Sequence, residues 1–219
     1  TNKELGFTGS VADYFRSQSL GKLDIEFDVV GPYMLAHKRW YYGTNQGYSH
    51  DTKPGEMIAE AVLAADADVN YADYDWDGDG EVDQVFVLYA GLGEHDGGSA
   101  STIWPHESKL SASDYKKAIN LDGVKIDTYA CSSELQRGST ICGIGTICHC
   151  LGFPDTYDPT KTRFGMGTWD LMDVGSYIDN GFTPSCYTGL ERMIAGWQNA
   201  KVLANDTIVN NMGPISEGG

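Results

Sequence analysis

The sequence has no long hydrophobic run, few basic residues and few cysteines, and each shortage excludes a class of protein. It contains no stretch of about 18 apolar residues, so no membrane-spanning helix is predicted. Fifteen basic residues against 31 acidic ones give a formal net charge of −16, which disfavours nucleic acid and anionic membrane surfaces as partners. An odd number of cysteines, four of them clustered, cannot pair into a disulfide framework for the whole chain: Cys131, Cys142, Cys148, Cys150 and Cys186.

The chain also lacks repeats, low-complexity segments and any internal linker. With 219 residues and 41% hydrophobic content it can bury a sizeable core, and we expect a single domain over residues 1–219. The N-terminal residues do not resemble a signal peptide, so an exported protein would be present here in a mature or trimmed form.

Helix and strand patterns alternate along the chain, which predicts a mixed α+β fold. Ser10 is a predicted N-cap, and Pro54 is the predicted first residue of a helix that reaches about Asp68. Residues 139–151 form a further predicted helix with Cys148 facing inward. The last predicted helix starts at Thr183-Pro184, ends at Gly196 and directs three apolar side chains to the core: Leu190, Met193 and Ile194.

Three segments are predicted strands. Residues 23–29 alternate apolar and acidic side chains, which predicts a half-buried strand. Residues 82–89 are almost continuously apolar, which favours a central strand. Residues 124–130 alternate again and predict a third strand.

The acidic residues are densest in the run Asp73-Tyr-Asp-Trp-Asp-Gly-Asp-Gly-Glu-Val-Asp83. Alternate aspartates on a turning loop converge their carboxylates, which is typical of a Ca²⁺ site. The best register predicts Ca²⁺ ligation by Asp75, Asp77, Asp79, Asp83 and the backbone carbonyl of Glu81, with Val82 as the hydrophobic anchor. Phe86 occupies the position of the bidentate glutamate of an EF-hand, so the loop is not a complete EF-hand. The alternative is an acidic turn without a metal.

A second motif, His149-Cys-Leu-Gly-Phe-Pro-Asp155, matches the second half of the extended zinc-protease signature HExxHxxGxxD. In the complete signature, two histidines four residues apart lie on one face of a helix with a glutamate between them. The first histidine and the glutamate are missing here. His149 and Asp155 are the predicted zinc ligands that remain, and Gly152 permits the turn between them.

A third segment, Gly167-Thr-Trp-Asp-Leu-Met172-Asp-Val-Gly175, resembles the methionine turn of metzincins. Together with ordered matches over residues 9–15, 19–25, 29–32, 42–43, 85–91, 103–106 and 143–158, these motifs show that the chain resembles the immune-inhibitor-A-like secreted zinc metallopeptidases of bacteria, a metzincin-like group. The resemblance implies a zincin catalytic domain with a mixed, twisted sheet and long helices. It also implies Zn²⁺ and Ca²⁺ as cofactors, protein or peptide substrates, a secreted, cell-surface or periplasmic location, and Met172 as the floor of the site. Family members extend further at both ends, so we expect both ends to be trimmed.

The departure from the family lies at the catalytic motif. Members read Gly-x-x-x-His-Glu-x-x-His-x-Leu-Gly-x-Pro-Asp, whereas this chain reads Gly145-Thr-Ile-Cys-His149-Cys-Leu-Gly-Phe-Pro-Asp155, four residues shorter. Four helical residues turn about 400°, so their loss leaves the flanking faces within about 40° of their former directions. Either the four residues are missing only from the recorded sequence, which the intact surroundings favour, or the molecule is a truncated, inactive relative.

Other candidates are weaker. His106 is a candidate for lining the cleft and Tyr177 for stabilising the transition state, with a surface histidine and a packed tyrosine as the alternatives. His37, His50 and His95 belong to no motif, and no spacing places Glu107 or Glu134 beside His149.

The sequence also leaves a different class of function open, a calcium-stabilised binding module without hydrolysis. A structural metal site is disfavoured because successive helical residues point apart; its ligands would be Cys142, Cys148, His149 and Cys150.

Overall fold

The computed structural model describes residues 9–47, 51–135, 147–181 and 183–214. The chain divides into two compact units. Asp28–Gly152 form one, called the sheet unit below, and Thr1–Phe27 with Phe153–Gly219 form the other, called the methionine-turn unit. None of the helices in the described ranges combines the length and apolar character that crossing a membrane requires.

Short helices and strands alternate along the described chain, which gives the mixed α+β content that the sequence predicts. The α-helices are α1 (Val11–Gln18), α2 (Arg39–Gly43), α3 (Pro54–Ala65) and α4 (Gly189–Ile194), and residues 147–150 are also helical. The strands are β1 (Val85–Leu92), β2 (His106–Lys109), β3 (Ile119–Leu121), β4 (Val124–Ile126) and β5 (Thr128–Leu135). Short 3-10 helices include Tyr71–Tyr74, Glu94–Asp96, Gly167–Trp169 and Val174–Gly181.

The sheet unit contains a three-stranded mixed sheet in the order β1-β5-β2, with β1 parallel and β2 antiparallel to β5. The prediction of a central strand at residues 82–89 is therefore wrong: among the described residues β1 is an edge strand, and β5 is central. The buried positions of β5 include Ser132 and Ser133, so its sequence is less apolar than that of β1. Apolar content alone could not rank the two strands.

The third predicted strand, residues 124–130, is two strands separated at Asp127. The carboxylate of Asp127 accepts hydrogen bonds from the amide and the hydroxyl of Ser111, both at 2.8 Å. This side-chain pairing interrupts the alternation, and β4 pairs with β3 instead of joining the larger sheet.

Helix α3 supplies much of the core of the sheet unit, as predicted. Pro54 is at its first turn, and Ile58, Val62 and Ala65 are 0%, 2% and 7% exposed. Burial of each larger aliphatic side chain is worth about 1.5–3 kcal/mol. The helix packs with a cluster that also includes Tyr42 and Tyr129.

The predicted strand at residues 23–29 is wrong. The segment has no strand assignment, and Phe27 and Val29 are 47% and 83% exposed. An alternating pattern becomes a strand only when another segment satisfies its backbone groups. Within the described ranges no segment pairs with it.

In the methionine-turn unit, Ser10 caps α1 as predicted. Its hydroxyl oxygen accepts from the Asp13 amide at 3.1 Å, and the Asp13 carboxylate accepts from the Ser10 amide at 2.9 Å. This reciprocal capping box satisfies two amides that a helix start otherwise leaves unpaired. The Tyr14 hydroxyl then donates to the Ser185 carbonyl at 2.7 Å, which ties α1 to the C-terminal part of the unit.

The last helix differs from its prediction. Helix α4 starts at Gly189, with Thr188 as N-cap. The three side chains expected in the core are 62%, 38% and 68% exposed: Leu190, Met193 and Ile194. Arg192 is fully buried instead, and its guanidinium donates to the Gln18 side-chain oxygen at 2.8 Å. A polar contact from α1 therefore fixes the face that α4 presents, and the local apolar pattern could not reveal it.

Candidate functional site

His149 lies in the helical turn formed by residues 147–150. Cys148 is fully buried, as predicted, and His149 is half-buried. The Gly152 amide donates to the His149 carbonyl at 2.8 Å, and Gly152 adopts a φ of +85°, which ends the helix in the left-handed region that favours glycine. The predicted turn at Gly152 is confirmed, whereas Cys142 and the first part of the predicted helix lie outside the described residues.

Cys150 follows His149 and is half-buried. Burial, together with the negative charge of Glu107, raises the pKa of its thiol to about 12. Sequence reasoning missed the proximity of Glu107, because strand β2 brings it there from 43 positions upstream of Cys150.

Asp155 has a partner that the sequence did not reveal. The pKa of the Tyr157 hydroxyl is raised by burial and by a hydrogen bond with the Asp155 carboxylate. A hydrogen bond from an outer residue fixes the orientation of a carboxylate that is to bind a metal. Tyr157 thus contacts a predicted zinc ligand.

Met172 is 4% exposed and is held by the turn around it. Its amide donates to the Asp170 carboxylate at 2.9 Å, and its carbonyl accepts from the Thr156 amide at 3.2 Å. Gly175 closes the turn by donating to the Asp170 carbonyl at 3.0 Å. A Cβ at Gly175 would lie 2.0 Å from the Ser185 hydroxyl oxygen, so only glycine fits this approach.

The two weaker candidates have different surroundings. Tyr177 lies on the 3-10 helix Val174–Gly181 and is 51% exposed, which does not match the packed tyrosine considered as its alternative. His106 begins β2 and is half-buried, with Nδ1 2.7 Å from the Trp104 carbonyl and Nε2 2.9 Å from the Tyr129 hydroxyl.

These contacts define the state of His106. A carbonyl only accepts, so Nδ1 carries the proton and donates to Trp104, and Nε2 accepts from Tyr129. Burial lowers the pKa of His106, which favours this neutral form. The surface-histidine alternative is wrong, because both ring nitrogens are engaged inside the sheet unit.

The acidic loop brings three of its predicted ligands together. Asp75, Asp77 and Asp83 each offer a carboxylate oxygen, and these oxygens lie within 4.8 Å of one another. Asp79 is not a member of this group; its carboxylate accepts from the Glu81 amide at 2.8 Å. The predicted anchor Val82 is confirmed at 3% exposure.

The backbone of the loop is arranged around Asp75. Its carboxylate accepts from the amides of Gly78, Asp79 and Gly80 at 2.9–3.0 Å. The side chain of Glu81 pairs with Lys125 and is not a member of the aspartate group, which agrees with the prediction that Glu81 contributes its backbone carbonyl. Two backbone hydrogen bonds join this segment to Lys125: the Gly80 carbonyl accepts from the Lys125 amide, and the Val82 amide donates to the Lys125 carbonyl. The Glu81 carbonyl takes part in neither bond.

Comparison with known proteins gives consistent similarities. The sequence profile described as "Immune inhibitor A peptidase M6, catalytic domain" matches residues 3–199. Pre-pro-metalloprotease PrtV from two strains of Vibrio cholerae serotype O1 is 27% identical over 245 residues, which cover 91% of this chain and 26% of the relative. Immune inhibitor A of Bacillus thuringiensis subsp. alesti is 24% identical over 205 residues, covering 80% of this chain and 30% of that protein. The chain therefore spans less than a third of the length of these curated relatives.

Proposed function

The chain belongs to the immune inhibitor A (M6) metallopeptidase family, and from this premise we propose that it is the catalytic domain of a zinc-dependent endopeptidase that hydrolyses protein substrates outside the cell. The profile match over residues 3–199 carries the proposal. Because the match runs through the sequence of both compact units, it supports their assignment to one catalytic domain.

The described residues fit zinc only in part. His149 and Asp155 offer one imidazole nitrogen and one carboxylate oxygen, whereas a catalytic zinc site takes about three protein ligands and a general base. The hydrogen bond from Tyr157 to Asp155 supports Asp155 as a ligand. We assign His149 and Asp155 as two zinc ligands, with Met172 as the floor, and assign no residue of this sequence as the proton acceptor.

Zinc, when bound, polarises the scissile carbonyl and makes a water molecule more acidic. The chain's own contribution is positional. Gly152 ends the helix that carries His149, Tyr157 holds Asp155, and Asp170 fixes the turn of Met172. An aspartate as the last ligand, where metzincins use a histidine, makes the site less cationic.

Calcium is the second proposed cofactor, bound by the acidic loop. Three carboxylates within 4.8 Å of one another repel unless a cation lies between them, and hard oxygen ligands suit Ca²⁺. The proposed ligands are Asp75, Asp77, Asp83 and the Glu81 carbonyl, with Asp79 reaching the ion only if it leaves the Glu81 amide. Millimolar extracellular calcium would fill such a site, which agrees with the proposed location.

A protein substrate has a plausible docking element in β2. Among the described residues β2 pairs only with β5, on one of its two sides. An edge strand presents backbone donors and acceptors with which an extended peptide can pair.

The missing histidine and glutamate favour a second candidate, a calcium-stabilised binding module that retains peptide affinity without hydrolysis. The two candidates share the acidic loop and differ in zinc. Zinc content measured together with casein hydrolysis separates them: cleavage with a zinc that is lost on His149→Ala supports the peptidase, whereas calcium binding without cleavage and without such a zinc supports the binding module.

The gap itself is tested by intact mass and by sequencing a peptide that spans residues 141–160. A peptide with Cys148-His149-Cys150 in direct succession would show that the molecule lacks the four residues. A peptide longer by four residues, with a histidine and a glutamate among them, would complete the signature.

A further inference from the structure

Three metal-binding side chains meet in the sheet unit at a place that belongs to none of the motifs above. His37, Glu56 and Glu60 each offer one ligand atom, and the three atoms lie within 4.8 Å of one another. Glu56 and Glu60 are four residues apart on α3 and therefore share a face of the helix. His37 comes from the segment that precedes α2.

The ring of His37 is held in place while its nitrogens stay accessible. It stacks on the Tyr41 ring with centroids 3.9 Å apart and meets the Tyr42 ring edge-on at 6.0 Å. The His37 amide also donates to the Tyr42 hydroxyl at 3.1 Å. In the part of the chain that the structure describes, neither ring nitrogen makes a hydrogen bond, and the residue is exposed. An imidazole in this state is free to bind a metal.

Both carboxylates are oriented from outside the cluster. For Glu60, one oxygen accepts from the Tyr42 hydroxyl at 2.7 Å and from the Ala36 amide at 3.1 Å, which leaves the other oxygen available. Glu56 accepts from the Tyr41 hydroxyl at 3.0 Å, and its second oxygen lies 2.8 Å from the Lys53 ammonium. Hydrogen bonds of this kind orient the ligands of metal sites.

The chemistry of the set favours zinc. One imidazole nitrogen and two carboxylate oxygens are borderline and hard donors that Zn²⁺ accepts, and a water molecule can complete a tetrahedron. Tetrahedral ligands about 2.05 Å from the ion are about 3.4 Å apart, so separations that reach at most 4.8 Å must shorten by no more than about 1.4 Å. A small shift of the exposed His37 ring along the Tyr41 ring, towards the two half-buried glutamates, would supply this closure.

We propose that His37, Glu56 and Glu60 form a zinc-binding site, distinct from the proposed catalytic and calcium sites. Zinc bound there links the segment before α2 to α3 and stabilises the sheet unit. Lys53 competes for one oxygen of Glu56 and limits the affinity.

The test is a zinc titration by calorimetry of calcium-saturated protein carrying His149→Ala, which removes the proposed catalytic zinc ligand. We compare this parent with versions that also carry His37→Ala, Glu60→Gln or, as the charge-matched control, Glu26→Gln, since Glu26 is exposed and outside the cluster. We expect the His37→Ala version to bind one zinc fewer per chain or to bind it at least about tenfold more weakly. The Glu60→Gln version should also weaken binding, and the control should match the parent.

Two further readouts separate metal ligation from a structural role. Lys53→Gln should tighten zinc binding, because it frees one oxygen of Glu56, and zinc should shift the imidazole nitrogen resonances of His37 in nuclear magnetic resonance spectra. Equal zinc binding by the His37→Ala version and the control, with both folded by circular dichroism, would overturn the proposal. So would zinc binding that leaves the His37 resonances unchanged. Because the parent lacks His149, neither result depends on the peptidase assignment.

Discussion

The acidic loop and the His149-to-Asp155 run are proposed metal motifs of similar length, but they differ in how much of a site the local chain supplies. In the loop, three carboxylates converge and the amides that hold Asp75 come from the next five residues. In the run, His149 ends a helix, and Asp155 is held by Tyr157 in the segment that follows. The loop therefore supplies nearly all of the geometry of its proposed site, whereas the run supplies two proposed ligands and depends on residues elsewhere for the rest.

This difference shows what a four-residue loss from the zinc signature would cost. A continuous loop organises its ligands through its own backbone hydrogen bonds. A zinc signature depends on the phase of a helix and on each residue of one turn, so losing that turn removes a ligand and the base together.

The largest expected effect comes from restoring the turn. If the molecule lacks the four residues, insertion of Glu-Ala-Ala-His directly after His149 recreates Gly-x-x-x-His-Glu-x-x-His. We expect casein hydrolysis to rise by at least about 10²-fold, the usual contribution of a general base.

The matched control inserts Gln-Ala-Ala-His, which keeps the added helical turn and the histidine but offers no proton acceptor. Activity from the glutamine version equal to that from the glutamate version would show that the glutamate is not the base. Inactivity of both, with both folded and zinc bound, would contradict the peptidase proposal.

Truncation of the buried Met172 side chain gives the next largest effect. Met172 is 4% exposed, so Met172→Ala should lower the free energy of unfolding by about 2–5 kcal/mol, and Met172→Leu by less than about 1.5 kcal/mol. Urea unfolding measures both. Met193→Ala in the same unit is the control, because Met193 is 38% exposed and should lose far less. A cost for Met193→Ala equal to that for Met172→Ala would contradict the assignment of Met172 to a packed floor.

The acidic loop can be tested by two neighbouring aspartates. Asp77 belongs to the converging group and Asp79 does not, so Asp77→Asn should weaken calcium binding by about tenfold, or about 1.4 kcal/mol, and Asp79→Asn by less. The rise in melting temperature on adding calcium measures both variants. An equal loss in the two would mean that Asp79 turns towards the ion when calcium binds.

The smallest expected effect concerns Asp51, a carboxylate of the sheet unit that lies outside the acidic loop. Burial, together with the charge of Glu94, raises the pKa of Asp51 from 3.8 to about 6. The folded state therefore holds this proton more tightly than the unfolded state, so the stabilising contribution is complete below about pH 4 and is lost as the pH rises through 6.

We expect Asp51→Asn, unfolded by urea with calcium chelated, to be about 1 kcal/mol more stable than the parent at pH 8 and equal to it near pH 4. This figure is reduced for the partial exposure of the side chain. The asparagine oxygen can still accept from the Trp104 amide, which donates to Asp51 at 2.9 Å. A parent that is as stable as the variant at pH 8 would show that the buried charge has no cost.

Predictions from the sequence succeeded where a few adjacent residues decide the outcome. Ser10 caps α1 through a residue three positions away, Pro54 starts α3, and Gly152 ends the His149 helix with a positive φ. Each depends on local backbone chemistry that no distant contact has to supply. The convergence of Asp75, Asp77 and Asp83 is of the same kind.

Predictions failed where a distant partner decides. Residues 23–29 alternate but find no pairing segment among the described residues, and β5 is central although β1 is the more apolar strand. In α4, a contact between Gln18 and Arg192, 174 residues apart, buries the polar face instead of the apolar one. The spacing of apolar residues within α4 cannot reveal which face a distant residue will bury.

The sequence by itself determined the family, the acidic loop with its buried Val82, and the run from His149 to Asp155, because each is written in contiguous residues or in an ordered series of them. Only the tertiary structure decided which strand is central, that Tyr157 holds Asp155, and that His37 meets Glu56 and Glu60. The physical reason is one of range: turns and caps are satisfied by backbone groups a few residues away, whereas strand order and side-chain clusters depend on chain segments that only folding brings together.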